Sequence, residues 1–267
     1  MNRVNELINA YFNVCILLCS ERIEYPNFKL ITSEDIDDNY WNLALTFDID
    51  NIEEIKNIWP QVKEEMTKRY RQPAILIPNS NELNPMTLKN INLEPIYQDC
   101  WLSIDNIKEF PKYKSSLNLS IIKVDEKLKE EFVSAVMSGF AGDDPNDPYA
   151  ELPECYAIAL RKTFDKAIGE CKLIHYLVKY NGNSVGTSSI ITFDKIAFIY
   201  NVTTNKEYKR KGICKELMSK MIQDLDNNIK TVCLQTEKGF YTETVYKNMG
   251  FKEEFTTYSY KEVKNNE

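Results

Sequence analysis

Histidine is almost missing from this chain: His175 is the single one in 267 residues. Histidine-based triads and zinc sites are therefore set aside, and no metal is expected. Its surroundings, Leu173-Ile174-His175-Tyr176-Leu177, read as a strand and give it a structural or surface role. A surplus of basic residues is also absent. Lys and Arg total 33 against 40 Asp and Glu, for a net charge of −7 and a pI near 5.1. That balance excludes a broad phosphate-coating surface, so nucleic acid is not an expected partner. No apolar run approaches the roughly 20 residues of a membrane helix, and Val14–Cys19 is too short for a secretory signal. Cysteine is present seven times, but in odd number and scattered, which suits reduced thiols in a cytoplasmic protein. Cys15 and Cys19 lie one helical turn apart with no second pair or histidine nearby, too little for a metal site.

What remains is an ordinary soluble composition, 43% hydrophobic and 27% charged, long enough for one large domain or two small ones. Leu7, Ile8, Tyr11, Val14, Cys15 and Leu18 form one helical stripe over residues 4–19. Phe28–Thr32 and Tyr40–Phe47 read as strands. Asn51–Tyr70 reads as a helix in which Pro60 predicts a kink or break. Short strands follow at Ala74–Ile77 and Tyr97–Ile104, and the polar stretch 105–116 reads as a connection between domains. Beyond it come a strand over Leu117–Val124, a helix capped by Asp125, the acidic loop 142–149, and a helix over Pro153–Phe164. A meander then turns at Asn181-Gly182 and Asp194-Lys195, and is followed by a helix, the strand Thr231–Gln235, a short helix through Tyr246 and a final strand pair. This order is a mixed α/β (α+β) layer architecture with a mostly antiparallel sheet flanked by helices. The expected domains are 1–110 and 117–267.

The chemistry concentrates where the strand Ile196–Thr203 ends. Lys206, Lys209, Arg210, Lys211 and Lys215 crowd ten positions of an acidic protein, and a helix opens at Gly212. Such a turn aims free backbone N–H groups and the positive end of a helix dipole at one point, and glycine leaves room for an anion. A solvated basic loop ahead of an ordinary helix is the plainer alternative. The segment resembles the acetyl-CoA pyrophosphate-binding motif of the GNAT acetyltransferase superfamily, Arg/Gln-x-x-Gly-x-Gly/Ala. Here it reads Lys209-x-x-Gly212-x-Cys214, after the lead-in Asn205–Tyr208. Lys209 and Cys214 depart from the pattern. Tyr246-Lys-Asn-Met-Gly250-Phe251 resembles the family's Tyr-x-x-x-Gly-Phe, although Gly239 stands where an Asn is common, seven positions before the tyrosine. The resemblance covers Leu117 to about Tyr260.

It implies a GNAT-like fold and an acetyl-CoA-dependent N-acetyltransferase acting on a primary amine of a small molecule or peptide. Lys209, Arg210, Lys211, Gly212 and Cys214 would surround the diphosphate, while backbone groups of Val202 and Thr204 would hold the pantetheine arm. The N–H of Val202 would face the developing oxyanion, and the hydroxyl of Tyr246 would protonate the leaving thiolate. For Tyr246 the plainer alternative is a packed helix residue. Family members often carry Glu or Asp on the first strand of the pair. This chain offers Tyr200 and Asn201 there, and Glu237 or a water relay stays open as base. Asp143, Asp144 and Asp147 beside Tyr149 would attract a cationic acceptor, or form a solvated turn. The implied protein is a monomer or homodimer without a membrane partner. The same departures also suit a catalytically inactive acyl-CoA-binding regulator. Finally, Leu88-Lys-Asn-Ile-Asn-Leu-Glu-Pro-Ile-Tyr97 aligns without a gap to Tyr246–Phe255, so the first half reads as a degenerate copy of the same fold. In it Leu88 replaces the tyrosine and no basic glycine turn precedes the helix.

Overall fold

A computed structural model of the chain describes residues 2–47, 49–140, 151–165 and 169–263. Its elements run α1 (Arg3–Val14), β1 (Glu21–Glu24), β2 (Lys29–Thr32), β3 (Leu43–Leu45), α2 (Ile52–Lys68), β4 (Ala74–Pro78), α3 (Pro85–Leu88) and β5 (Leu93–Ile104). They continue with β6 (Ser120–Lys123), α4 (Lys129–Gly139), α5 (Glu154–Lys162), β7 (Lys172–Tyr180), β8 (Asn183–Phe193) and β9 (Ile196–Thr204). The last are α6 (Ile213–Gln223), β10 (Thr231–Glu237), α7 (Tyr241–Lys247) and β11 (Lys252–Glu262). The chain forms two compact units. One comprises residues 1–101, 235–239 and 253–267, the other 102–234 and 240–252. The grouping is not a linear cut at 110–117, because two late segments belong with the first unit. No described helix is long and apolar enough to cross a membrane. No disulfide joins the seven cysteines, and Cys15, Cys19, Cys100 and Cys233 are buried.

In the first unit, β1 and β2 form an antiparallel hairpin, β3 runs antiparallel to β2, and β4 lies parallel to β3 with Ala44 opposite Ile75. β11 then pairs antiparallel with β4, Tyr260 opposite Ile75. The parallel pair requires a crossover, and α2 supplies it. Asn51 caps α2 by accepting from the Glu53 and Glu54 N–H groups. Ile55, Trp59, Val62 and Met66 of α2 are buried with Phe28, Leu30, Ile75, Ile77, Leu88, Leu93 and Tyr260 in one core. Pro60 does not break α2, which is a single helix through it. The ring lies on the exposed side, where water can satisfy the carbonyl it leaves unpaired. The expected strand over Tyr40–Phe47 shrinks to β3. Asp38 captures the chain before it, its carboxylate accepting from Tyr40 N–H and its carbonyl from Trp41 N–H and Asn42 Nδ2. The expected final strand pair is one long strand, β11.

In the second unit β6, β7, β8 and β9 form an antiparallel meander, and β10 lies parallel against β9. The β7–β8 turn takes positive φ at Asn181 (+50°) and Gly182 (+83°), the backbone that Asn-Gly favours in a two-residue hairpin. The 105–116 stretch is not a free connection. It is tied to α6, with Ser219 Oγ donating to Pro111 O at 2.8 Å and accepting from Tyr113 N–H at 2.9 Å.

Candidate active site

The second unit holds the sequence-predicted residues. After β9, Asn205 caps a short turn by accepting from Glu207 N–H, Arg210 adopts φ +63° and Gly212 φ +83°, and α6 begins. No side chain caps α6, so its first N–H groups are left to solvent or a ligand. The turn is held from behind. Ser115 Oγ donates to Lys211 O at 2.6 Å, and Ser115 N–H donates to the buried carboxylate of Glu216 at 2.8 Å. A Cβ on Gly212 would stand 3.2 Å from Ser115 Cα, so space and φ both select glycine. Lys209 lies 6.0 Å from the Tyr241 ring centroid, and Lys211 lies 4.8 Å from that of Tyr208. Lys211 also donates to Glu207 O at 3.0 Å. Arg210 is exposed, with no ion pair among the described residues. Burial pushes the Cys214 thiol up to about 12, Lys215 pulling weakly the other way, so this sulfur is neutral packing rather than a nucleophile.

β9 does not follow β10 to its end. The parallel register covers Ile196–Phe198 against Thr231–Cys233 and stops, while β9 continues to Thr204. On its other side, β9 carries one extra residue between Tyr200 (opposite Ser189) and Thr203 (opposite Thr187). This bulge contains Asn201, at φ +53°, and Val202, and neither has a registered partner on β8 or β10. Three buried hydroxyl residues of β8 hold it. Thr187 Oγ1 donates to Asn201 O at 2.9 Å, Ser188 Oγ donates to Tyr200 O at 3.1 Å, and Ser189 Oγ accepts from Asn201 Nδ2 at 3.1 Å.

Tyr246 is buried on α7, its ring 6.1 Å from that of Phe251. Gly250 N–H donates to Lys247 O at 3.0 Å and Phe251 N–H to Tyr246 O at 3.2 Å, with Gly250 at φ +100°. This is a Schellman helix end, and it supplies a physical reason for the Tyr-x-x-x-Gly-Phe spacing. The glycine reverses the chain so that residues on either side of it pack together. The matching turn of the first unit has Asn92 at φ +60°, with its N–H donating to Lys89 O at 3.1 Å. Leu88, in the tyrosine's place, lies in the core.

His175 is buried rather than on the surface. It packs between Phe132 and Phe164, at ring distances of 4.6 and 4.8 Å, and desolvation lowers its pKa to about 4. Asp143, Asp144, Asp147 and Tyr149 lie outside the described residues. Sequence reasoning missed a polar cluster in the first unit. There Tyr97 Oη donates to Asp38 at 3.1 Å and Tyr40 Oη to Gln235 at 2.9 Å. Nearby, burial, then the charge of Glu237, raises Asp99 to about 7. Only the alternation of polar and aromatic residues in Tyr97-Gln-Asp-Cys-Trp101 hinted at it.

The family model described as Acetyltransferase (GNAT) family matches residues 140–251. A GCN5-related N-acetyltransferase from Kribbella flavida superposes with a TM-score of 0.70 at 10% identity, over 99% of this chain and 97% of that one. A conserved protein of unknown function from Staphylococcus epidermidis gives a TM-score of 0.66 at 14% identity, over 92% and 95%. A tandem GNAT protein from the clavulanic acid biosynthesis pathway gives 0.60 at 9% identity, over 87% and 77%. At these identities the likeness is one of fold. Comparison with curated protein sequences gives no match.

Proposed function

We propose that the protein transfers an acetyl group from acetyl-CoA to a primary amine, from the premise that residues 140–251 match the Acetyltransferase (GNAT) family model. One observation carries the reading. β9 leaves β10 after Phe198, bulges at Asn201-Val202, and leads straight into a positive-φ basic turn below an uncapped helix. These residues fit the group. The α6 N–H groups, with Lys209, Arg210 and Lys211 around Gly212, suit a diphosphate. The end of β9 at Val202 and Thr204, beyond the last residue registered on β10, suits the amide groups of a pantetheine arm. When bound, acetyl-CoA supplies a thioester whose carbonyl carbon accepts the amine nitrogen as the C–S bond breaks.

The protein's part is positional and electrostatic. Val202 N–H donates toward the carbonyl oxygen as it gains charge, and a preoriented donor acts there without reorganisation. Tyr246 gives its proton to the departing sulfur and regains one from solvent. The amine's proton leaves through water. Glu237 groups with the first unit and is not assigned as base. A second reading, an acyl-CoA-binding protein without turnover, is favoured by Lys209 and Cys214 and by the lack of a carboxylate at Tyr200-Asn201.

Two assays separate these readings from each other and from a wrong cofactor. CoA binds only the folded state, so at about 100 times its Kd it adds roughly 2.7 kcal/mol and raises the melting temperature, whereas NADH or ATP does much less. No shift at millimolar CoA refutes both readings. Gly212→Asp, whose Cβ meets Ser115 at 3.2 Å, abolishes the shift while circular dichroism stays native. Free-thiol release with spermidine, kanamycin, L-lysine and alanylalanine then separates enzyme from binding protein.

A further inference from the structure

The bulge on β9 is wired to the one histidine by a chain of hydrogen bonds whose direction can be worked out atom by atom. Thr163 Oγ1 lies 2.6 Å from Leu160 O, an atom that can only accept, so the threonine proton is spent there. Thr163 Oγ1 lies also 2.9 Å from His175 Nε2, and with no proton left it must accept. Nε2 therefore carries the imidazole hydrogen. The ring is neutral, buried between two aromatic rings, and burial holds its pKa near 4. Nδ1 is then an acceptor, and Ser189 Oγ, 2.8 Å away, donates to it. Ser189 has thereby used its own proton and accepts from Asn201 Nδ2 at 3.1 Å. The amide nitrogen of Asn201 is turned inward, and its Oδ1 takes the other side. That oxygen accepts nothing from the described residues, on a partly exposed residue at φ +53°.

We propose that Asn201 orients the acceptor amine, its Oδ1 accepting an amine N–H, with Thr163, His175 and Ser189 as positioning residues that keep the carboxamide from flipping. This rests on the acyl-transfer reading above. An amide can occupy two orientations that differ by exchange of N and O, and solvent alone would populate both. The buried chain selects one, because the other would set Oδ1 against Ser189, whose proton is committed to His175. The result is a neutral acceptor oxygen one residue from the Val202 N–H, so a hydrogen-bond acceptor for the amine and a donor for the thioester oxygen sit side by side on the bulge. A carboxylate in that place would abstract the proton. Asn201 cannot, and it acts by aligning the nitrogen lone pair, so the uncharged amine is the form it serves.

The first test needs no acceptor. Because the chain has one histidine, 15N-histidine labelling gives a single ring system, and at pH 7 long-range 1H–15N spectra should show the Nε2–H tautomer. An Nδ1–H tautomer overturns the proposal, since Ser189 would then accept from the ring and keep its own proton for Asn201 Oδ1. Ser189→Ala should move the Nδ1 resonance. The second test uses whichever amine of spermidine, kanamycin, L-lysine and alanylalanine releases thiol fastest. Asn201→Gly, chosen because glycine tolerates the backbone there, should raise that amine's KM about tenfold, the effect of one lost hydrogen bond. Half-saturation by acetyl-CoA should stay within about twofold. Ser189→Ala, which leaves Asn201 in place but free to flip, should shift the same constant by a smaller factor. Unchanged amine KM in Asn201→Gly, with CoA still raising the melting temperature, overturns the assignment of Asn201 alone. Loss of the CoA shift in the parent protein overturns the acyl-transfer reading instead.

Discussion

Tyr246 satisfies a packing rule, and the proposed function adds a chemical one. Its ring packs on Phe251 across the Gly250 turn, and a phenylalanine would do that equally well. The hydroxyl is what the proposed chemistry would use. Its partner, the thiolate, exists only as the transition state collapses, so Tyr246→Phe should lower kcat and kcat/KM together and leave acetyl-CoA affinity nearly unchanged. General acids contribute on the order of 10²–10⁴-fold, and a thiol of pKa ~8.5 is a fair leaving group, so the low end is expected. Wild-type kcat in a variant with the parent's melting temperature would leave Tyr246 a packing residue. Asp99 carries a different prediction. Burial first, then Glu237, raises its folded pKa to about 7, above the unfolded value near 3.9. The folded state therefore holds this proton more tightly, and the protein loses stability as pH rises from about 4 through 7. Asp99→Asn removes that loss, on the order of 1–4 kcal/mol. The variant's gain in melting temperature over the parent should be clear at pH 8.5 and vanish near pH 4. Equal differences at both pH values would contradict the buried-charge account.

Three helix ends decide most of what the elements do. α2 opens with Asn51 accepting from its first N–H groups and with Glu53 and Glu54 in the first turn, so its positive end is already satisfied and screened. α6 opens after Gly212 with no side-chain cap and basic residues before it. The same element type is thus closed to an anion in one unit and suited to one in the other. At the other end, α7 depends on Gly250. An added Cβ there would meet only Ile104 Cδ1 at an ordinary 3.8 Å, so Gly250→Ala is a test of backbone conformation rather than of space. At φ +100° the substitution should cost about 1–2 kcal/mol. A drop of a few degrees in melting temperature is expected, and Gly250→Asn should be milder. An unchanged melting temperature would mean the Schellman turn contributes little.

At the scale of the whole chain the expectation concerns stoichiometry. Each unit carries a positive-φ turn after a short helix, at Asn92 and at Gly250, as a duplicated fold would. Only the second also has the uncapped basic turn and the tyrosine. Calorimetric titration with CoA should therefore give about one site per chain. Two equivalent sites would mean that Asn51 and Leu88 do not disable the first unit.

The local signals were legible because they are local. Asn181-Gly182 dictates its hairpin through φ alone, Asp125 caps its turn by accepting from Lys127 and Leu128 N–H, and the Tyr246–Phe251 helix end is set by residues within six positions of each other. What the sequence determined by itself was thus the element order, the basic glycine turn and the family likeness of the second half. What only the tertiary structure decided depends on residues far apart in number. β11 joins β4 because Tyr260 completes a core begun at Phe28. Asp38 shortens a strand by hydrogen bonds whose competition with the ladder no periodicity reveals. Leu160, Thr163, His175, Ser189 and Asn201 become one directed chain only when a helix end and three strands are packed together. A single proton committed at Leu160 O then fixes the face that Asn201 presents, and that commitment exists only in the folded molecule.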